Sequence, residues 1–162
     1  MVIIGIDPGI GRMGWGVIRE ENGAQSMTDC GCFETDAKLA EEKRLEKIHD
    51  FIKELVNKYS PDVVAVESLF FAANSKTAFS VGQARGVILL TISQAEVKLV
   101  SYTPLQVKLS ISGYGKADKN QVQQMVKSLL KLKQIPKPDD AADALAIALT
   151  YAYSYKVNNK IL

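Results

Sequence analysis

Residues 2–9 read VIIGIDPG, an apolar run that ends in an acid and a turn. A short apolar run rich in β-branched residues and bounded by a turn signal predicts a buried strand followed by a sharp reversal of the chain. The acid, Asp7, is then placed at the carboxyl end of that strand. Sites in open α/β sheets form outside the carboxyl ends of parallel strands, so this stretch predicts the first strand and also the location of a site.

Further strands and helices follow this stretch. Residues 15–18 and 25–33 read as two strands, and Asn22-Gly23 between them is a strong signal for an antiparallel hairpin. Later strands are predicted at 63–66 and 97–102, a short helix after Thr103-Pro104, and longer helices over 40–58, 75–94, 119–132 and 139–155. A hairpin run followed by strand–helix–strand units predicts an α/β fold with a mixed sheet and helices on its faces.

Length and composition restrict the class of protein. The chain has 162 residues with a net charge of +2, 47% hydrophobic and 23% charged residues, which excludes disordered, collagen-like and coiled-coil proteins. We expect a single domain over residues 1–155 and a polar C-terminal tail over 156–162. The sequence has neither an apolar run of membrane-spanning length nor a signal peptide at its start, so a cytoplasmic protein is expected.

The lysines are unevenly distributed. Residues 101–138 contain seven Lys and one acid, which gives this segment a net charge of +6 and leaves −4 for the remainder. Such asymmetry favours a surface that binds a polyanion beside an acidic site. A lysine-rich face that is simply solvated explains the charge equally well at this point.

Two acids end predicted strands. Asp7 follows the first strand, and Glu67 follows the buried strand at 63–66. Because crossover connections between parallel strands are right-handed, the connections place these two strands side by side. The two carboxylates are therefore expected to face each other at one edge of the sheet.

Two more acids begin the last predicted helix. Asp140 and Asp143 are three residues apart and so lie on nearly the same helix face. Capping of the helix by Asp139 or Asp140 is the simple explanation. However, residues 144–149 are almost wholly apolar and must be buried, so an acid one turn inside this helix needs a partner or a cation.

The four carboxylates favour a hard, oxygen-seeking cation such as Mg²⁺ or Mn²⁺, because no suitable His or Cys set accompanies them. Two such ions clamp the attacking and leaving oxygens when a phosphodiester is hydrolysed. Clustered acids with basic residues nearby fit that chemistry.

Other candidate groups are given structural roles. His49, the only histidine, is expected to be a solvated residue on the charged helix. Cys30 and Cys32 are too few ligands for zinc and are expected to be buried, reduced thiols. The glycines of GIGRMG at 9–14 precede a strand instead of a helix, so they favour a tight turn beside Asp7 over a dinucleotide site.

Several motifs occur in one order along the chain: GIDPG at 5–9, Glu67 after an apolar strand, GQARG at 82–86, YTP at 102–104 and DAADA at 140–144. Each is weak alone, but the ordered set over residues 2–152 resembles the RuvC family of crossover-junction endodeoxyribonucleases. The resemblance implies an RNase H-like fold with a five-stranded sheet, antiparallel over its first three strands and then parallel. It also implies a homodimer that cuts two opposed strands of a Holliday junction symmetrically in recombination and repair.

The resemblance also implies a catalytic centre. It identifies the metal-binding catalytic carboxylates, which would hold two Mg²⁺ ions per subunit or Mn²⁺ in their place, as Asp7, Glu67, Asp140 and Asp143. Asp140 is chosen over the adjacent Asp139 because it has the family spacing. The products implied are ligatable nicks with 5′ phosphate and 3′ hydroxyl ends.

Residues for DNA contact follow from the same resemblance. Family lysines that match Lys108 and Lys119 contact phosphates near the scissile bond, and Lys116 is assigned to the same DNA-binding group. The family also places an aromatic residue for junction opening at Phe70, and we expect Phe71 to anchor that loop in the core. Exposed aromatic side chains in such a loop can stack on splayed bases.

The helix with Gly82 and Gly86 has a face of small residues that allows close helix approach. Packing on the sheet is the simple explanation, whereas the family builds part of its dimer interface from this helix. A two-fold dimer matches the two equivalent strands of a four-way junction. The resemblance also implies association with the RuvAB branch-migration complex.

The sequence leaves three alternatives open. GIDPG also resembles the first phosphate loop of actin-like sugar kinases and chaperone ATPases, but those proteins need two such domains and motifs that this chain lacks. A junction-binding module without cleavage is the second alternative, although four acids beside phosphate would repel DNA without metals. The third is the YqgF group, related nucleases acting on RNA, whose motifs fit less well than those of the RuvC family.

Overall fold

A computed structural model of the chain describes residues 1–68 and 75–160. Its strands are β1 (Val2–Asp7), β2 (Arg12–Glu21), β3 (Ala24–Glu34), β4 (Val63–Glu67) and β5 (Lys98–Tyr102). They form one sheet in the order β3-β2-β1-β4-β5. The first three strands are antiparallel, whereas β4 and β5 run parallel to β1. The predicted five-stranded mixed sheet is confirmed.

The β2–β3 hairpin forms where the sequence predicts it. Asn22 and Gly23 both adopt positive φ angles, 50° and 85°. A two-residue hairpin whose twist matches its strands needs both central residues in that region, which Asn and Gly tolerate best. The residue types at positions 22 and 23 therefore determine where the chain turns between β2 and β3.

The helices are α1 (Glu41–Tyr59), α2 (Ser75–Gln94), α3 (Pro104–Ser112), α4 (Lys119–Leu129) and α5 (Asp139–Lys160). Thr103 and Asp118 begin α3 and α4 with capping boxes. The end of α4 at Leu129 is earlier than the predicted 132, because the chain turns into a positive φ at Lys131. None of the described helices has both the length and the apolar character to cross a bilayer.

The helix α5 extends to Lys160, beyond the end at 155 that its pattern of residues predicts. Residues 156–160 contain neither Gly nor Pro, so the sequence has no signal that stops the helix at that point. The division of the chain into a domain over 1–155 and a tail over 156–162 stays a prediction.

Each face of the sheet carries its own hydrophobic core. On one face, α5 lies across the sheet with α3 and α4, and its residues from Ala144 to Leu149 are all buried. On the other face, α1 and α2 pack over residues such as Ile4, Met13 and Val64. The sheet therefore lies between two layers of helices. The helix α5 packs directly against β1 and β2, and this packing positions the acids in its first turn.

The predicted role of His49 is wrong. Its ring is half-buried between α1 and α2, and Nδ1 lies 2.8 Å from the Thr91 hydroxyl oxygen. That hydroxyl donates its proton to the Val87 carbonyl at 2.8 Å, so His49 Nδ1 is the donor to Thr91. Cys30 and Cys32 are free thiols, as predicted, but they are half-buried.

Candidate active site

The strand register brings the first two acids together. β1 and β4 are parallel neighbours in which Ile6 is opposite Val66, and Asp7 and Glu67 are the next residues on each strand. Neighbouring strands lie roughly 5 Å apart, so the two carboxylates begin from adjacent backbone positions. Arg85 on α2 donates from Nε to the Glu67 backbone carbonyl at 3.1 Å and so helps to hold the end of β4.

Two glycines allow α5 to lie close to the same edge. A Cβ atom at Gly5 would lie 2.0 Å from the Ala144 carbonyl oxygen, and one at Gly14 would lie 2.1 Å from the Asp140 carbonyl oxygen. Gly14 is also the residue opposite Asp7 in the β1–β2 register. The absence of a side chain at Gly14 therefore fixes the distance between the first turn of α5 and the strand that carries Asp7.

We expect Gly14→Ala to displace the first turn of α5 and to weaken both folding and activity. The added methyl would overlap a backbone oxygen that has no rotamer through which to move away. Overpacking of this kind costs about 1–3 kcal/mol of unfolding free energy. Urea denaturation measures the stability, and a junction-cleavage assay measures the loss of activity.

Gly11→Ala, three residues earlier in the turn that precedes β2, is the matched control. A Cβ atom there would meet only the Arg44 Nη2 atom, at 3.2 Å, which is the end of a flexible side chain. We expect this variant to change the unfolding free energy by less than about 0.5 kcal/mol. Equal stability losses in the two variants would contradict the assigned role of Gly14.

The four acids act on one another electrostatically. The pKa of the Asp7 carboxyl is raised to about 8, chiefly because burial disfavours its charged form. Neighbouring negative charges add to the same shift, in the order Glu67, Asp143, Asp140. The pKa of Glu67 is raised to about 7 by burial and then by the charge of Asp143. The cluster therefore holds more negative charge than its surroundings neutralise.

Basic side chains form ion pairs with Asp140 and Asp143, the two candidate acids of α5. Lys119 Nζ lies 2.9 Å from Asp143 Oδ2, and this bond raises the pKa of Lys119. Arg12 donates to Asp140 Oδ2 from Nη2 at 2.8 Å and from Nε at 3.2 Å. Burial raises the pKa of Asp143, while the lysine acts in the opposite direction.

The donor set fits a hard divalent cation. All four groups offer carboxylate oxygens, which are the ligands that such cations prefer, and a cation would favour the charged form of the buried Asp7 carboxyl. Within residues 1–68 and 75–160, no three acidic, His or Cys side chains converge closely enough to bind one ion as they stand. Two of the four carboxylates are instead bound to Arg12 and Lys119, so a cation must compete with these ion pairs.

A cavity of about 210 Å³ opens beside the acids on the β4 and β5 side. Glu67 and Asp143 line it together with Lys108 and Lys119, and apolar side chains of α3, α4 and α5 complete its wall. Two of the predicted lysines therefore share a space with two of the predicted acids. Such a cavity can hold a phosphate group between carboxylates and ammonium groups.

The remaining predicted residues lie elsewhere. Lys116 is exposed in the loop between α3 and α4 and does not line this cavity. Asp139 pairs with Lys137 at 3.1 Å and, unlike Asp140, is not among the charges that raise the pKa of Asp7. Phe70 and Phe71 lie outside the described residues, so their assignments stay predictions.

Sequence reasoning missed Arg12, which lies at the edge of the acid cluster. Because β2 is antiparallel to β1 and Gly14 is opposite Asp7, Arg12 falls just beyond the end of β1. An arginine in the turn after Asp7 was the available signal. The lysine excess in residues 101–138 indicates cations on one flank of the acids only, whereas Arg12 approaches from β2 on the opposite flank.

Comparisons with known proteins agree with this arrangement. The RuvC family, described as crossover junction endodeoxyribonuclease RuvC, matches residues 3–151. The relative of that name from Halothermothrix orenii is 52% identical, with 99% of this chain and 97% of that protein covered. The relative from Caldicellulosiruptor saccharolyticus is also 52% identical, with 95% and 93% covered.

Comparison with solved structures also finds similarity to RuvC proteins. Thermus thermophilus RuvC superposes with a TM-score of 0.90 at 37% identity, covering 98% of this chain and 97% of that one. The same protein in complex with Holliday junction substrate gives 0.88 at 35% identity, covering 97% and 96%. The yeast mitochondrial Holliday junction resolvase, at 14% identity and a TM-score of 0.71, shares the fold. By sequence and by structure, the chain belongs to the RuvC family of crossover junction endodeoxyribonucleases.

Proposed function

We propose that this protein resolves Holliday junctions by hydrolysing one phosphodiester in each of two opposed strands with the help of divalent cations. The observation that carries the proposal is the cluster of four carboxylates, in which burial and then the charges of the other three acids raise the pKa of Asp7 to about 8. A cluster of this kind, open to a cavity with two lysines, suits a polyanionic substrate only when cations accompany it. Relatives that cover nearly the whole chain carry the name of this activity.

The cations proposed are two Mg²⁺ ions per subunit, for which Mn²⁺ can substitute. The residues proposed to hold them are Asp7, Glu67, Asp140 and Asp143. When bound, such ions supply positive charge to the phosphate oxygens and make water more acidic. The chain itself contributes the fixed spacing of the carboxylates, which the β1–β4 register and the Gly14 contact with α5 maintain.

Lys119 and Lys108 are proposed to bind the phosphate of the scissile bond. Both line the cavity beside Glu67, and Lys119 Nζ lies 2.9 Å from Asp143 Oδ2. An ammonium group within a partly closed cavity stabilises charge that develops on phosphate oxygens during the reaction. Lys116 and Phe70 are proposed to contact DNA outside this cavity, the first through phosphates and the second through bases.

The reaction proposed leaves 5′ phosphate and 3′ hydroxyl ends, which a ligase can join. Cleavage of this kind serves DNA recombination and repair, and we place the protein with the DNA in the cytoplasm. We also propose association with the RuvAB branch-migration complex, which follows from family membership alone.

A homodimer is part of the proposal, and one face of α2 suits the interface. Phe79 and Leu90 on this helix are 72% and 58% exposed, and Gly86 between them has open space around it. The three residues share one stripe of the helix, since their spacing is seven and four. An exposed apolar stripe with a glycine at its centre allows a second helix to approach closely.

We expect Leu90→Glu to convert the dimer into a monomer, because it places a charge in an apolar contact. Leu105→Glu on α3 is the matched control, since Leu105 is 56% exposed but lies on the other side of the sheet. Sedimentation velocity without DNA measures the mass of each variant. A dimer retained by Leu90→Glu would contradict the proposed interface.

Cleavage of a labelled synthetic four-way junction, beside a linear duplex of the same sequence, tests the proposed function. Each substrate is incubated with Mg²⁺ and with EDTA. We expect paired, ligatable nicks in the junction alone and with Mg²⁺ alone. Equal cutting of the duplex would refute junction specificity, and tight binding without cutting would favour a junction-binding module.

A further inference from the structure

Arg12 lies between the acid cluster and solvent. Its side chain is 52% exposed, and two of its N–H groups donate to the same carboxylate oxygen of Asp140. A second acid, Glu34 at the end of β3, lies 3.4 Å from Nη1. A guanidinium group has five donors in a planar fork, so Arg12 has more donors than the two that Asp140 occupies.

The position of Arg12 complements that of the lysines. Lys119 and Lys108 border the acids from the β4 and β5 side, whereas Arg12 lies on β2, across β1 from that cavity. A DNA strand that passes over Asp7 between these cations therefore meets positive charge on both sides. Without Arg12, the carboxylates of Asp140 and Glu34 would lose their shared cation on the β2 side of the site and would repel the phosphates.

The pair of Arg12 and Asp140 competes with a cation for the same atom. Asp140 Oδ2 receives both bonds from Arg12, and this oxygen is the one that a divalent ion must share or take. Because the pair is half-exposed, water screens it and its strength is modest. A divalent ion can displace the guanidinium, which then lacks its main partner at the edge of a site that binds phosphate.

We propose that Arg12 exchanges Asp140 for a phosphate of the DNA backbone when divalent cations enter the site. In the DNA-free and metal-free protein, Arg12 neutralises Asp140. In the loaded protein, the same guanidinium binds the strand on the β2 side. Metal binding and DNA binding then reinforce each other, because coupling between two sites is reciprocal.

This proposal rests on the proposed function, because it assumes that Asp140 binds a cation. Its first test measures binding of Mn²⁺ to the DNA-free protein by titration calorimetry. We expect Arg12→Gln to bind Mn²⁺ about threefold to tenfold more tightly than the unaltered protein, since the competing ion pair is gone. Equal affinities would overturn the exchange at Asp140.

The second test measures junction affinity against salt concentration, in EDTA and in Ca²⁺, with the DNA verified as uncut on a denaturing gel. Each phosphate contact contributes about 0.9 to the slope of log affinity against log salt. We expect Arg12→Gln to reduce that slope by about one in Ca²⁺ and to leave it unchanged in EDTA. Arg12→Lys keeps the charge and is expected to keep the slope.

Arg19→Gln is the matched control. Arg19 lies at the far end of the same strand, is also 52% exposed and also pairs with an acid, Glu21 at 3.5 Å. We expect it to change neither the Mn²⁺ affinity nor the difference in slope between Ca²⁺ and EDTA. Thermal melts of all variants exclude a loss of folding as the cause.

The outcomes separate this proposal from the function on which it rests. If the unaltered protein cuts junctions with Mg²⁺ while Arg12→Gln shows an unchanged salt slope in Ca²⁺, the function stands and the exchange is overturned. If the unaltered protein cuts no junctions with Mg²⁺, the proposed function is refuted, regardless of how junction affinity depends on salt.

Discussion

Asp7→Asn is expected to slow junction cleavage by about a thousandfold or more. Asp7 is the most strongly perturbed acid of the cluster, and an amide in its place removes one negative charge and leaves a neutral, weaker cation ligand. A thousandfold loss corresponds to about 4 kcal/mol of transition-state stabilisation, a magnitude within the range that metal ions supply to phosphoryl oxygens. The substitution hardly changes shape, so the loss is chemical.

The same variant is expected to bind junctions as well as the unaltered protein does. Affinity for DNA comes mainly from basic side chains that replace counterions, and Asp7→Asn also removes a charge that repels phosphate. Single-turnover cleavage and a gel-shift titration measure the two properties separately. Cleavage at a near-normal rate would refute the assignment of Asp7 to the cation site.

Asp139→Asn is the control for this experiment. Asp139 adjoins the cluster in sequence, but it pairs with Lys137 and does not contribute to the perturbed pKa of Asp7. We expect this variant to retain cleavage within a few-fold of the normal rate. A loss as large as that of Asp7→Asn would instead support a shift of register, with Asp139 in the place of Asp140.

Features with a local cause could be predicted from the sequence. Asn22-Gly23 fixes the hairpin through its positive φ angles, and Thr103 and Asp118 fix helix starts through their own hydrogen bonds. The helix α4 ends before Lys131, which adopts a positive φ although it is neither Gly nor Asn, and α5 continues through residues 156–160, where no Gly or Pro stops it. Fraying and packing decide such boundaries, and neither has a clear signal in one sequence.

The residues of the candidate site also separate into those that local sequence predicts and those that depend on contacts between distant elements. Asp7 and Glu67 follow from strand ends, and Asp143 follows from its place in a helix that must be buried. Arg12 has an ordinary local sequence, and only the β1–β2 register carries it to Asp140. His49 was misplaced for a related reason, because its partner Thr91 lies on another helix. Pairings between distant elements therefore account for what the sequence did not predict.

Asp7→Asn is also expected to stabilise the metal-free protein above neutral pH. The folded state raises the pKa of Asp7 to about 8 and that of Glu67 to about 7, from values near 4 in an unfolded chain. Between about pH 4 and 8 the folded protein therefore holds more protons than the unfolded one. The free energy of unfolding then falls as the pH rises through this window.

Removal of the Asp7 charge is expected to increase the unfolding free energy by up to about 6 kcal/mol at pH 9, since folding raises the pKa of Asp7 from 3.8 to about 8 and one pKa unit corresponds to about 1.4 kcal/mol. Urea unfolding in EDTA at pH 5, 7 and 9 measures this gain, which we expect to fall to about 2 kcal/mol at pH 5. Mg²⁺ should stabilise the unaltered protein at pH 9 and have less effect on Asp7→Asn, because only the former retains all four carboxylates.

Asp139→Asn is the control and should show no gain in unfolding free energy at pH 9, since Lys137 lowers the pKa of Asp139 and thereby stabilises its charged form. An Asp7→Asn variant that is no more stable than the unaltered protein at pH 9 would mean that repulsion within the cluster is already neutralised without metal, which would remove the physical reason for placing cations there.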